Sequence, residues 1–470
     1  MNKRINISLT LLAILALSAC KLSKDISKPD AALPANFRNS NTEDTANIAN
    51  IKWQDFFTQS SLQKLISTAI TNNFDMQTAL KNIEAANLVL AQTKYAYLPD
   101  ARLQIGANIN RPSDNSLNGI SLSQFLGQSY IEDYSTSIGL SWEADIWGKI
   151  KNQKAAALAA YLQTNEAKKA IQTNLVSSIS QGYYNLLMLD QQLQIAKKNV
   201  LLSDSTLRIA QLQLKAGEVT QLAVEQVEAQ KLVAAQLVPQ FEQAILLQEN
   251  ALSILTGVLP DKIERNENLT AITLPATTAT GIPADVLTKR PDIKTQELAL
   301  QIANANVGIT KAAMYPSLSI TANAGINAFK ASNWFNIPAS LFGAAAGGIT
   351  QPLFQRKQLR TQYEVAKVNR EKVVIQFRQS VLNAVGEVSD ALAKVEKLKE
   401  QKTIIDQRQT TLSNAIKNAD LLFKNGMANY LEVITAQSNV LQNELQAATI
   451  KRSQLAANVE LYKALGGGWE

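Results

Sequence analysis

The 470-residue sequence contains no histidine and a single cysteine, Cys20. Without imidazole the commonest general base is missing, and most zinc chemistry goes with it. One thiol closes no intramolecular disulfide and builds no cysteine metal site. The five methionines are scattered, so no thioether cluster points to a soft metal. There is no G-x-S-x-G elbow and no Walker-type loop. These absences argue against an enzyme and call for no cofactor. The 46 Lys and Arg against 39 Asp and Glu leave +7, spread along the chain rather than gathered in a patch, so no nucleic-acid partner is indicated. Proline is missing from residues 149–215, where the only glycine is Gly182.

What is present begins with a leader. Lys3 and Arg4 precede a short apolar stretch, residues 5–17, too short for a spanning helix. It ends in Leu17-Ser18-Ala19-Cys20, which resembles a lipobox: small residues ahead of a cysteine that becomes residue one and is acylated. The alternative is an ordinary secretory leader that happens to contain a cysteine. We read residues 1–19 as a lipoprotein signal peptide, Cys20 as the lipidation (palmitate) site and 20–52 as an extended tether. Lys21 is not the Asp that commonly retains lipoproteins at the inner membrane, which favours the outer one.

The rest of the chain is duplicated. Residues 75–99 and 292–316 each set Pro 24 residues after Asp, and Ala86, Asn87, Lys94 and Ala96 recur as Ala303, Asn304, Lys311 and Ala313, an offset of 217. Further on, Lys215-Ala216-Gly217 recurs as Lys424-Asn425-Gly426, and Leu252 to Gly257 as Leu461 to Gly466, an offset of 209. The two offsets, in the same order and differing by 8, describe two pseudo-equivalent halves with one loop of unequal length. The period is far longer than that of a solenoid.

Taken in order, residues 53–72 read as a first helix, and 75–97 as the first copy of the repeat helix, stopped by Pro99. Period-two runs then predict strands over 100–112 and 133–146, joined by a long loop over 111–133. A helical pattern follows from 148 to 215, about 100 Å at 1.5 Å per residue. Such a helix belongs to a coiled coil or a bundle, not to the core of a compact domain. The chain turns at Gly217 and returns as a helix over 219–256, with a kink expected at Pro239. That closes a first repeat over 53–256, with its hairpin over 148–256. A connector spans 257–291. The second repeat, 292–470, has strands over 317–329 and 341–353, a helix over 354–425, a turn at Gly426 and a return, giving a hairpin over 354–465.

Each half thus supplies two amphipathic strands of about 11 residues, the length of a tilted transmembrane β-strand. Aromatics near their ends, among them Tyr95, Tyr97, Trp142, Trp147, Trp334 and Phe354, suit interfacial girdles. Strand periodicity alone fits a soluble four-stranded sheet equally well; an exported, anchored chain with such long helices favours the barrel. Four strands cannot close alone, and open edges are not tolerated in lipid. Two chains would make a bore filled by side chains, whereas three make twelve strands and leave a passage. The fold class is therefore mainly α with a membrane β-barrel: a trimeric, twelve-stranded barrel continued by a long α-helical periplasmic tunnel.

Trp142-Glu143-Ala144-Asp145-Ile146-Trp147-Gly148-Lys149 resembles the strand-to-helix junction of outer-membrane efflux proteins of the TolC-like, NodT type, and Leu287 to Ile293, with Arg290-Pro291-Asp292, resembles that family's second-repeat signature. The resemblance covers nearly the whole mature chain. It implies a homotrimer in the outer membrane that serves as the passive exit duct of a tripartite pump. The implied partners are a periplasmic adaptor (membrane fusion protein), an inner-membrane transporter of the RND type and outer-membrane lipid. The expected activity is efflux of small molecules such as drugs or toxic compounds. Type I protein secretion and metal-ion efflux stay open as alternatives; a periplasmic coiled-coil adaptor lipoprotein would carry one hairpin, not two strand–hairpin units in tandem.

The same resemblance bears on the hairpin tips at Gly217 and Gly426. Residues 426–435 are similar to the family segment that narrows the tunnel, which makes Tyr430, Glu432 and Thr435 periplasmic gate candidates. Glu432 matches one of the family's inward-facing acids. Thr435 stands where many relatives have a second, and Ala223 occupies the equivalent place in the first repeat. One ring of three carboxylates is expected; the other reading is that Glu432 simply faces solvent on an exposed tip.

Overall fold

The computed structural model describes residues 37–38, 47–273, 281 and 283–470. The leader, Cys20 and most of the tether lie outside the described residues. In chain order the elements are α1 (Trp53–Phe56), α2 (Ser60–Asn72), α3 (Phe74–Thr93), β1 (Asp100–Asn110), α4 (Leu117–Leu126), β2 (Ile131–Ala144), α5 (Lys149–Lys215), α6 (Gln221–Leu255), α7 (Pro283–Lys289), α8 (Pro291–Ala312), β3 (Ser317–Ala328), β4 (Leu341–Thr350), α9 (Gln358–Lys424) and α10 (Tyr430–Ala464). The long helices α5 and α9 have 67 residues each, and the return helices α6 and α10 have 35 each. No described helix is long and apolar enough to cross a membrane.

The chain divides into two units. The first, built from Glu84–Leu162 and Leu298–Ile375, holds the sheet. Its four strands are antiparallel in the order β1-β2-β3-β4, so β1 and β4 are the edges. Pro99 and Pro316 each stand just before a strand, where a residue without an N–H ends a helix and costs the ladder nothing. At that end of the sheet the indole of Trp142 donates to the carbonyl of Tyr97 at 2.8 Å, and that of Trp147 to Pro316 at 2.6 Å. Asp145 accepts from the main-chain N–H groups of Ile150 and Lys151 at 2.9 Å each, which starts α5.

The second unit comprises the described residues of Pro29–Ile83, Gln163–Glu297 and Gln376–Glu470. It holds the main hydrophobic core, where Leu62, Ile66, Ile179, Tyr183, Leu186, Leu252 and Leu461 are fully buried. Phe56 stacks on Tyr462 with ring centroids 4.1 Å apart, and the Tyr462 hydroxyl donates to the carbonyl of Ile51 at 2.6 Å. Gly182 permits a close helix crossing: an added Cβ would sit 2.8 Å from Leu252.

Two expectations are corrected. Residues 53–72 are not one helix: the chain breaks at 57–59, where Phe57 turns inward to 1% exposure and Gln63 Nε2 donates to the carbonyls of Gln54 and Phe57 at 2.7 and 2.6 Å. The region 111–133 is not only loop, since it contains α4. The Ser116 hydroxyl caps that helix by accepting from the Gly119 N–H at 3.1 Å, and Gly127 ends it at φ 63°. Through Pro239, α6 continues as one helix. The second-repeat counterpart of Gly148 (φ 74°) is Lys357, which with Arg356 holds a positive φ, 62° and 49°, without being glycine.

Candidate functional site

The strand register sorts side chains onto two faces, because residues directly opposite each other share a face. Leu103 pairs with Ile138, Ile138 with Ala324 and Ala324 with Gly343; one step along, Ala101, Leu140, Ala322 and Ala345 form the next row. Trp142, Ile320 and Gly347 continue that apolar face. The opposite face carries Asp100, Ser141 and Thr321 in one row and Arg102, Gly139 and Asn323 in another. Leu103, Ile105 and Ile109 are about two-thirds exposed, at 66, 65 and 66%. The polar face bounds a hollow of about 390 Å³ lined by Asp100, Arg102, Gln104, Ser137, Ser141 and Asn323, among others. A sheet apolar on one side and polar on its hollow side is the wall of a lipid-embedded barrel with a wet interior.

The hairpin tips are built alike. At Gly217 (φ 78°) the N–H of Gly217 bonds the carbonyl of Leu214 at 3.0 Å and that of Glu218 bonds Gln213 at 2.9 Å. At Gly426 (φ 69°) the same two bonds run from Gly426 to Phe423 at 3.1 Å and from Met427 to Leu422 at 2.8 Å. Each tip thus ends its long helix with a left-handed residue that satisfies the last carbonyls. The return helices are then capped by Thr220, which accepts from the Ala223 N–H at 3.4 Å, and by Asn429, which accepts from the Glu432 N–H at 3.2 Å.

Tyr430 joins the two tips. Its hydroxyl donates to Gln226 Oε1 on α6 at 2.7 Å, and its ring, with Ile434, packs against Leu207, Val224 and Val227. About two turns further along α10, the buried Gln437 donates to the Thr206 hydroxyl at 2.7 Å. Glu432 and Thr435 are exposed and are not drawn into this contact. No sequence pattern marks Gln226 and Thr206; only the fold brings them to Tyr430 and Gln437.

Two arginines, Arg290 buried and Arg265 partly buried, hold the second unit together. Arg290 binds Asp292 through Nε and Nη2 at 3.0 and 2.6 Å, Glu387 through Nη1 at 2.7 Å, and the carbonyl of Ala464 at 3.1 Å. The signature Arg290-Pro291-Asp292 is therefore a structural clasp at the start of α8. Arg265 joins Asp190 and Glu249; burial opposes its charge, and the two carboxylates outweigh that and hold its pKa above the ordinary arginine value. Tyr183 donates to Glu267. Among the described residues no group of His, Cys, Asp and Glu is placed to hold a metal.

A four-stranded sheet with one apolar and one polar face, in a chain that also carries two helices of 67 residues, about 100 Å each, fits an outer-membrane channel protomer. Comparison with known proteins agrees. The sequence model of the outer membrane efflux protein family matches residues 65–258 and 282–467. The chain is 29% identical over 467 residues to the cation efflux system protein CusC of Escherichia coli O6:H1, covering 97% of each. It is 30% identical over 481 residues to the toluene efflux pump outer membrane protein TtgF of Pseudomonas putida, covering 97% of this chain and 95% of that one. A crystal structure of CusC superposes with a TM-score of 0.84 at 26% identity, covering 96% of this chain and all of the other. The protein belongs to the outer membrane efflux protein family. It is an outer-membrane efflux channel subunit.

Proposed function

We propose that three copies of this chain form the outer-membrane exit duct of a tripartite pump, fed by a periplasmic adaptor and an inner-membrane RND-type transporter. The observation that carries this reading is the sheet register: a four-stranded wall with one apolar and one polar face, and with two edges that lipid does not tolerate open. Three such sheets close twelve strands around a passage. The duct carries no reaction of its own, and Cys20 anchors it by an acyl chain. Its gate is the contact of the two tips through Tyr430, and Glu432 contributes the one acidic ring. The cargo is small organic molecules. One similar protein is named for toluene and another for cations, so metal-ion export is the second reading.

Purified protein in planar bilayers tests the duct. Stepwise conductance from a cross-linkable trimer is the expected result, and a monomer without conductance overturns it. Cells lacking the chain should become sensitive to solvents and dyes. Sensitivity confined to metal ions would select the second reading.

A further inference from the structure

At the helix-bearing end of the sheet, where β1 and β3 begin and β2 and β4 end, charge is distributed unevenly. Lys94, Lys151, Lys154, Arg356, Lys357 and Arg360 are all exposed there, and their side chains make no hydrogen bond or ion pair among the described residues. The neighbouring carboxylates are already occupied. Asp100 binds Arg102 at 2.9 Å, Glu143 binds Lys149 at 3.1 Å, and Asp145 accepts from the main chain of α5. The opposite end of the sheet reverses the sign, with Arg111 and Lys330 against Asp114, Glu132 and Asp133. Beside the free cations stands an exposed apolar and aromatic rim: Tyr95 at 68%, Leu98 at 59%, Leu353 at 93% and Phe354 at 83% exposure.

An apolar rim at the edge of a lipid-facing wall, followed on the polar side by cations without counter-ions, complements a layer of acyl chains topped by phosphates. We propose that this end of the barrel binds the headgroups of anionic phospholipids in the periplasmic leaflet through Lys94, Lys151, Lys154, Arg356, Lys357 and Arg360. The inference rests on the barrel reading. The acidic opposite end would repel such headgroups, so the asymmetry also fixes which leaflet is preferred. Arg356 and Lys357 keep their side chains here at the cost of a left-handed backbone, where the first repeat places Gly148.

Native mass spectrometry of the detergent-purified full chain, titrated with phosphatidylglycerol against phosphatidylethanolamine, tests the proposal. Wild type should prefer the anionic lipid by about fivefold or more. Changing Lys151, Lys154, Arg356, Lys357 and Arg360 together to Gln should bring the ratio near unity, and Lys330→Gln should leave it unchanged. If that combined variant does not assemble, the pairs Lys151→Gln with Lys154→Gln and Arg356→Gln with Lys357→Gln should each lower the ratio by at least about twofold. Equal preference in wild type and variants overturns the proposal. So does a change in single-channel ion selectivity with unaltered lipid preference, which would place these cations in the pore. Conductance without lipid preference overturns the headgroup site alone; absence of conductance overturns the channel reading on which it rests.

Discussion

Gly257 lies against the main chain of Asn72: a Cβ added to the glycine would stand 2.4 Å from the Asn72 carbonyl oxygen. Gly466 repeats the relationship with Lys289, at 2.8 Å from the carbonyl carbon. The partners are related by the two offsets of the duplication, 209 for the glycines and 217 for Asn72 and Lys289. Both glycines also hold positive φ, 69° and 98°. Gly257→Ala should therefore cost about 2–4 kcal/mol, from strain and overpacking together. Gly217→Ala, with nothing within 4 Å of the new methyl, should cost only about 1 kcal/mol. Thermal unfolding of the purified proteins compares them; equal losses would show that the contact is unimportant.

The next residue in each repeat does the same work with different chemistry. Asn73 donates to the Leu255 carbonyl at 2.9 Å, and Arg290 donates to Ala464 at 3.1 Å. Asn73 also accepts from the N–H of Asp75 at 2.9 Å, capping α3. We expect Asn73→Ala to cost about 1–2 kcal/mol. Arg290→Ala leaves Asp292 and Glu387 unpaired, but both are half-exposed, so the loss is about 2–3 kcal/mol rather than that of a fully buried pair. Melting temperatures in that order check the ranking.

Acid should loosen this unit. Burial would raise the carboxyl of Glu267, but the Tyr183 hydroxyl and the main-chain N–H groups of Ser61 and Asn266 outweigh it and hold it below the ordinary value. Burial acts the same way on Asp292, where the Arg290 guanidinium prevails. A carboxyl depressed in the folded state contributes stability above its unfolded pKa, near about 4, and loses it as pH falls through the folded one. The melting temperature should hold between pH 7 and 5 and drop steeply below about 4. Glu267→Gln should start lower at neutral pH and lose less on acidification; an unchanged slope would remove this carboxyl from the account.

Opening should depend on Tyr430. Its bond to Gln226 and the contact around it join the two hairpins, so Tyr430→Phe removes one hydrogen bond while keeping the ring. The open probability should rise by about fivefold, the equivalent of one net hydrogen bond. Glu432→Gln is expected instead to lower cation preference and to weaken block by multivalent cations from the periplasmic side. Single-channel recording separates the two, and a Gln variant with unchanged selectivity and block would remove Glu432 from the conduction path.

Cys20→Ser should abolish labelling by radioactive palmitate while leaving a reduced but detectable amount of channel in the outer membrane. The barrel wall supplies its own apolar face, so insertion does not require the anchor. Label retained by the Ser variant would place acylation elsewhere.

Much of this protein was legible in one dimension. The offsets of 217 and 209 are local facts of residue identity, and they carry the duplication, the glycines of both tips and those beside Asn72 and Lys289. The strands were legible because period-two alternation repeats wherever one face meets lipid and the other water. Helix length was legible because nothing between 149 and 215 interrupts it. Only the tertiary structure placed α4, whose Ser116 cap and Gly127 stop are ordinary loop residues until they bond. Only it broke the helix at 57–59, where local helical propensity yielded to burial of Phe57 in the core. The bond from Tyr430 to Gln226 and the clasp of Arg290 on Glu387 and Ala464 link residues far apart in sequence. Such pairings obey no period and no spacing, because the energy that selects them appears only when distant segments have already met.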